Sequence, residues 1–144
     1  MHYIEGDFMR RIANTALVVL ALTAGSVMFG APTASAVTYC DSSGYTSTNE
    51  PMERCTSLSN GILAVKQSSS GIVSTEYYKS GGSTISAQLG YSRSGTSHYA
   101  SAVSIASGTT KRQTWQLSAS AYCTSTIGLL KYSGGTYQTP ASHC

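Results

Sequence analysis

Beyond residue 36, the side chains that could carry chemistry are few and scattered. Asp41 is the one aspartate, Glu50 and Glu53 flank Pro51, and Glu76 sits inside a run of β-branched and aromatic residues. Glu76 with either Glu50 or Glu53 would supply the two carboxylates that glycoside hydrolysis needs, but nothing in their spacing proposes the pairing. Asp41 with His98 or His143 and a serine would make a nucleophilic triad. With 23 serines after residue 36, a serine near a histidine carries almost no information, and no G-x-S-x-G turn is present to expose one. The cysteines, Cys40, Cys55, Cys123 and Cys144, contain no C-x-x-C, and the two histidines stand alone, so the spacing of a metal site is missing. If all four cysteines are bridged, none can serve as a nucleophile. These residues argue against catalysis, and they suggest no metal and no cofactor.

An even cysteine number in a short exported chain reads as two disulfides, with three possible pairings. Cys40–Cys55 with Cys123–Cys144 is favoured, because each pair is close in sequence and closes its own end of the domain. The first of these loops, at 14 intervening residues, is worth about 3 kcal/mol in the chain-entropy view.

Export itself is read from the N-terminal quarter. Met9-Arg10-Arg11 is a basic start, Ile12 to Val27 is an apolar run, and Ala34-Ser35-Ala36 places small residues where signal peptidase requires them. The apolar run is too short, and too soon followed by Gly, Pro and Ser, to be a membrane span. Residues 1–8 carry Glu5 and Asp7, which are unfavourable at the retained end, so Met9 is expected as the initiator. Arg10-Arg11 lacks the flanking residues of a twin-arginine signal, which leaves ordinary Sec export. Residues 1–36 are thus an N-terminal extension and signal peptide cleaved after Ala36. Residues 37–144 form a single secreted domain, with no membrane association after cleavage.

The elements that must position the remaining side chains are strands. Residues 37–59 have few apolar positions and no clean period, and read as an irregular or extended N-terminal arm tied down by Cys40–Cys55. From Gly61 the period becomes two. Strands are expected at Ile62 to Val65, at Ile72 to Lys79, at Ile85 to Tyr91 and from Tyr99 to Ile105. A longest one follows around Trp115 to Cys123, then Ile127 to Tyr132 and a short one at Thr136 to Thr139. Gly-containing turns separate them. The fold class is all-β: a small antiparallel β-sandwich or barrel of six to seven strands with two disulfides.

Composition narrows the function. Removing residues 1–36 from 144 leaves 108, with seven basic and four acidic residues, a net charge of +3. Lys111-Arg112 are the only adjacent cations in that part, so no basic stripe could track a nucleic acid. Both phenylalanines leave with the signal, while nine tyrosines and Trp115 stay. A Tyr-rich, hydroxyl-rich surface of low charge suits contact with proteins or glycans. Three binding modes are open. Glu50-Pro51-Met52-Glu53-Arg54, before Cys55, could be a disulfide-braced inhibitory loop for a secreted protease, although the cysteine spacing differs from that of actinobacterial subtilisin inhibitors. Tyr77, Tyr78 and Tyr91 could offer stacking faces for a cell-wall or other carbohydrate. The arm could add to a partner's sheet or lie in its groove.

The signal and the Ser/Thr/Tyr/Gly-rich remainder look like small exported proteins of actinobacteria. Four features carry a narrower likeness: the Cys40…Cys55 spacing, Asn60-Gly61-Ile62-Leu63, Trp115 before Cys123, and Ile127-Gly128-Leu129-Leu130 before a C-terminal cysteine. In this layout the chain resembles the small adaptor subunit of umbrella toxin particles. The resemblance implies a non-enzymatic subunit that joins lectin-bearing subunits to the scaffold of a large secreted toxin acting on competing bacteria. By analogy with strand addition, Val37, Thr38, Tyr39 and Tyr45 are the expected partner-contacting residues.

Overall fold

A computed structural model describes residues 35–144; of the extension and signal peptide read from residues 1–36, all but Ser35 and Ala36 lie outside the described residues. Within the described residues, nine strands form two antiparallel sheets. The first sheet has the order β1 (Glu53–Leu58), β2 (Gly61–Gln67), β3 (Ile72–Lys79) and β7 (Thr109–Gln116). The second runs β5 (Thr96–Tyr99), β4 (Ile85–Arg93), β8 (Ile127–Tyr132) and β9 (Gly135–Gln138), with β6 (Val103–Ile105) also paired to β4. The described residues hold no helix long and apolar enough to cross a membrane, and the disulfides fit an oxidising compartment.

Alternating side chains of the two sheets meet in the interior. Leu63, Tyr77, Ala87, Leu89, Ile105 and Leu130 form one cluster; Val65, Val73 and Tyr91, under Trp115 and Leu117, form another. Gly128 is required between the sheets, because a Cβ there would lie 2.8 Å from Cβ of Val65. The all-β class and both disulfides are as the sequence indicated: Cys40–Cys55 and Cys123–Cys144 span 5.8 and 4.9 Å between Cα atoms.

The strand count is nine rather than six or seven, for three local reasons. Glu53–Leu58, assigned to the arm from its irregular pattern, is a strand paired to β2 in unbroken register from Glu53↔Lys66 to Leu58↔Gly61. It lacks apolar alternation because its outer face meets the arm. The stretch from Tyr99 to Ile105 is two strands. Both pair with β4, but residues 100–102 stand opposite only Gln88 and Leu89, a bulge that breaks the ladder. Gln88 holds the bulge by donating from Nε2 to the Ala100 carbonyl at 3.1 Å.

The strand containing Trp115 stops at Gln116, opposite Ile72, where β3 ends and no partner remains. The alternation continuing to Cys123 is therefore not a strand. The chain crosses instead over Gly71, whose carbonyl accepts from Leu117 N–H at 2.8 Å. Gly71 has φ of 84° and no room for a Cβ, which would lie 2.6 Å from the Ser118 backbone. Ser118 then caps a short 3-10 turn, Ala119–Ala121, by accepting from Ser120 N–H.

Candidate functional site

The outer face of the first sheet is where the arm lies. Cross-strand register sets Cys55 opposite Ala64, Ala64 opposite Glu76, and Glu76 opposite Arg112. Residues directly opposite share a face, so these four form one row across β1, β2, β3 and β7. Their neighbours Leu63 and Tyr77, one position away, face the interior. The arm crosses this row. It is bonded covalently to Cys55 through Cys40 at one end, and at the other Val37 N–H donates to Glu76 Oε1 at 2.6 Å. Ala64, the smallest member of the row, is buried beneath it.

That crossing makes a groove of about 380 Å³, lined by Ser35 to Thr38, Ser47, Thr48, Glu53, Lys66, Glu76 and Arg112 among others. Although they lie on the outward side of a sheet, Glu53 and Glu76 are only 6 % and 5 % exposed. A buried carboxylate persists when it is paired and hydrogen-bonded. Glu76 Oε2 accepts from both Nε and Nη2 of Arg112. Glu53 Oε2 accepts from Lys66 Nζ at 3.0 Å and from the Thr48 hydroxyl at 3.4 Å. That bond to Glu53 raises the Lys66 pKa above the usual lysine value, against a smaller opposing effect of burial.

Glu76 and an arm glutamate thus do come together, as a carboxylate pair would require. Each already has a cation on it, Arg112 on Glu76 and Lys66 on Glu53. The other titratable groups are also engaged. Asp41 Oδ1 accepts from Ser43 and Tyr45 N–H, both at 2.8 Å, and shapes the turn after Cys40. His98 stacks on Tyr91 at 4.7 Å, and His143 Nδ1 lies 2.9 Å from the carbonyl oxygen of Cys144. Among the described residues, no three His, Cys, Asp or Glu side chains are grouped to hold a metal ion.

The four residues expected to contact a partner occupy different surroundings. Val37 is half-buried in the groove, while Thr38 and Tyr39 are exposed, Tyr39 by 55 %. Tyr45 lies apart from them, bridged to Arg54 and with its ring 4.1 Å from the guanidinium carbon. Arg54 also donates from Nε to the Gly44 carbonyl at 2.9 Å and from Nη2 to that of Ser43 at 2.7 Å. Within the segment before Cys55, Glu50 and Pro51 are exposed while Met52 and Glu53 are buried. Of the tyrosines considered for sugar stacking, Tyr77 and Tyr91 belong to the interior. Burial raises the Tyr77 pKa, with a smaller contribution from Tyr137.

Sequence reasoning missed Glu76, Arg112, Glu53 and Lys66 as a connected set. A carboxylate inside an apolar strand run was the available signal, since such a residue needs a partner; which partner depends on strand register.

A second polar cluster closes the opposite end of β2. Gln67 donates from Nε2 to the Thr124 carbonyl and to both the carbonyl and the hydroxyl of Ser142, and accepts from Arg93 Nη2 at 2.7 Å. Arg93 Nε also donates to the Thr126 hydroxyl at 2.6 Å. Burial lowers the Arg93 pKa, an effect that the nearby Tyr91 opposes. The cluster ties the C-terminal segment to both sheets and has every buried polar side-chain atom satisfied; it is structural. No protein-family model matches this chain, and neither a curated protein nor a solved structure does.

Proposed function

We propose that this protein is a non-enzymatic secreted binding protein, an adaptor that joins the components of an extracellular antibacterial toxin complex. One observation carries the reading. The arm is braced at both ends, by Cys40–Cys55 and by Val37 on Glu76, while Thr38 and Tyr39 between them face outward. A large aromatic held at low conformational freedom is an economical contact residue. Tyr39 is among only three large hydrophobic residues exposed within the described part, with Ile72 and Val103. Glu53, Glu76, Lys66 and Arg112, by contrast, pair with one another. The layout shared with umbrella-toxin adaptors makes a toxin scaffold and a lectin-like subunit the expected partners.

The bracing also refines the mode of contact. Val37 donates its N–H inward, so the arm meets a partner through the side chains of Thr38 and Tyr39 more than through a free main-chain edge. The inhibitor reading loses ground because Arg54 donates from Nε and Nη2 to the Gly44 and Ser43 carbonyls.

The test is a pull-down from native culture supernatant with the tagged protein, read by mass spectrometry and repeated with Tyr39→Ala. A large multidomain secreted protein and a lectin-like protein that are captured by the wild type and lost with Tyr39→Ala would support the adaptor. A secreted protease captured alone, and lost with Arg54→Ala, would replace it with the inhibitor.

A further inference from the structure

We propose that Glu76 is the receptor for the α-ammonium group that cleavage between Ala36 and Val37 creates. The inference rests on processing at that bond and is independent of the adaptor reading.

Two unrelated observations meet at one atom. The small-residue pattern Ala34-Ser35-Ala36 sets the scissile bond before Val37. The nitrogen of Val37 is the atom lying 2.6 Å from Oε1 of a glutamate whose side chain is only 7 % exposed. Hydrolysis by signal peptidase adds one water across the Ala36–Val37 amide. It leaves a carboxylate on Ala36 and an amine on Val37, which takes up a proton at neutral pH. What had been a neutral N–H donor to Glu76 becomes a cationic one, which adds an ion pair to the hydrogen bond.

Glu53 from β1, Lys66 from β2, Glu76 from β3 and Arg112 from β7 face the groove, two carboxylates against two cations, and the exposed Glu50, outside that lining, adds a third carboxylate 4.0 Å from Lys66. Glu76 is the carboxylate that the Val37 nitrogen reaches. Export would therefore strengthen the clamp on the arm, replacing a neutral N–H on Glu76 with an ammonium and holding Thr38 and Tyr39 in place.

The experiment uses protein exported from the full chain by a secreting host. Intact mass and terminal sequencing should give a chain starting at Val37 with a free amine; any other start overturns the proposal. The α-amine is then titrated by NMR. Its pKa should lie at least one unit above the ordinary value of about 7.7–8.0, and an ordinary or lower value overturns the proposal. A raised folded pKa means stability that is complete below about pH 8 and lost as pH rises through the folded value. Each unit corresponds to about a tenfold rise in the unfolding constant.

Reaction of the Val37 amine with an acetylating reagent at pH 7 should be at least about tenfold slower than that of a free valine peptide. Glu76→Gln should return both the pKa and the rate to ordinary values. Should that variant fail to fold, inserting one alanine between Ala36 and Val37 moves the new amine off the carboxylate and should have the same effect. Unchanged values in a folded variant overturn the assignment.

Discussion

The two faces of the first sheet are both covered, but by different chemistry. The inner face meets the second sheet through Leu63, Tyr77 and Val65, with Leu89 and Leu130 opposite. The outer face meets a single strand-like arm through Glu53, Glu76, Lys66 and Arg112. Burial on the inner face is non-directional and scales with apolar area. On the outer face it holds only because each carboxylate has a cation and a hydrogen-bond donor. The same alternation of side chains therefore yields a packed interior on one side and an addressable, charged groove on the other. Interiors of the first kind tolerate exchange of one apolar shape for another, whereas a groove of the second kind depends on particular partners.

Breaking the inner face should have the largest effect. Leu130→Ala leaves a cavity at a fully buried position and should cost about 3 to 4 kcal/mol in urea denaturation, with the arm still docked. Replacing Cys40 and Cys55 together by alanine should cost about 3 kcal/mol by chain entropy, and should loosen the arm without disturbing the interior. Glu76→Ala strips the partner from Arg112 and Val37. Because the Arg112 side chain is 32 % exposed, about 2 kcal/mol is expected, below the usual range for a fully buried pair.

The smallest effect belongs to Lys66. Its pKa is raised, chiefly by Glu53, so its contribution is complete below the usual lysine value of about 10.4 and is lost as pH climbs through the folded value. Stability curves measured between pH 9 and 12 should show that loss in the wild type and lack it in Lys66→Met. An interior variant that frees the arm, or an arm variant that melts the interior, would collapse the distinction between the two faces.

Much of the inner face was legible in the sequence, because period-two apolar residues at Ile85 to Tyr91 and in the Gly61 strand report burial on one side. The disulfide pairing followed from proximity in the chain. The outer face was not legible, since its partners are set by register. Glu76 and Arg112 are 36 residues apart and meet only because β3 and β7 align Ile72 with Gln116. The failures at Tyr99 to Ile105 and beyond Gln116 share a cause. Alternation persists through a bulge and past the end of a partner strand, because it records side-chain pattern and not hydrogen bonding. Glu53–Leu58 failed the other way: a strand between a sheet neighbour and a polar arm has no apolar face to reveal it.

Residues 37–40, tied to Glu76 and Cys55, are a fixed part of the domain and not a free tail. NMR relaxation of the backbone amides of Thr38, Tyr39 and Cys40 in the exported protein should give order parameters of about 0.85, matching β3, and a clear drop in Glu76→Ala. Values below about 0.6 in the wild type, unchanged by that substitution, would contradict it.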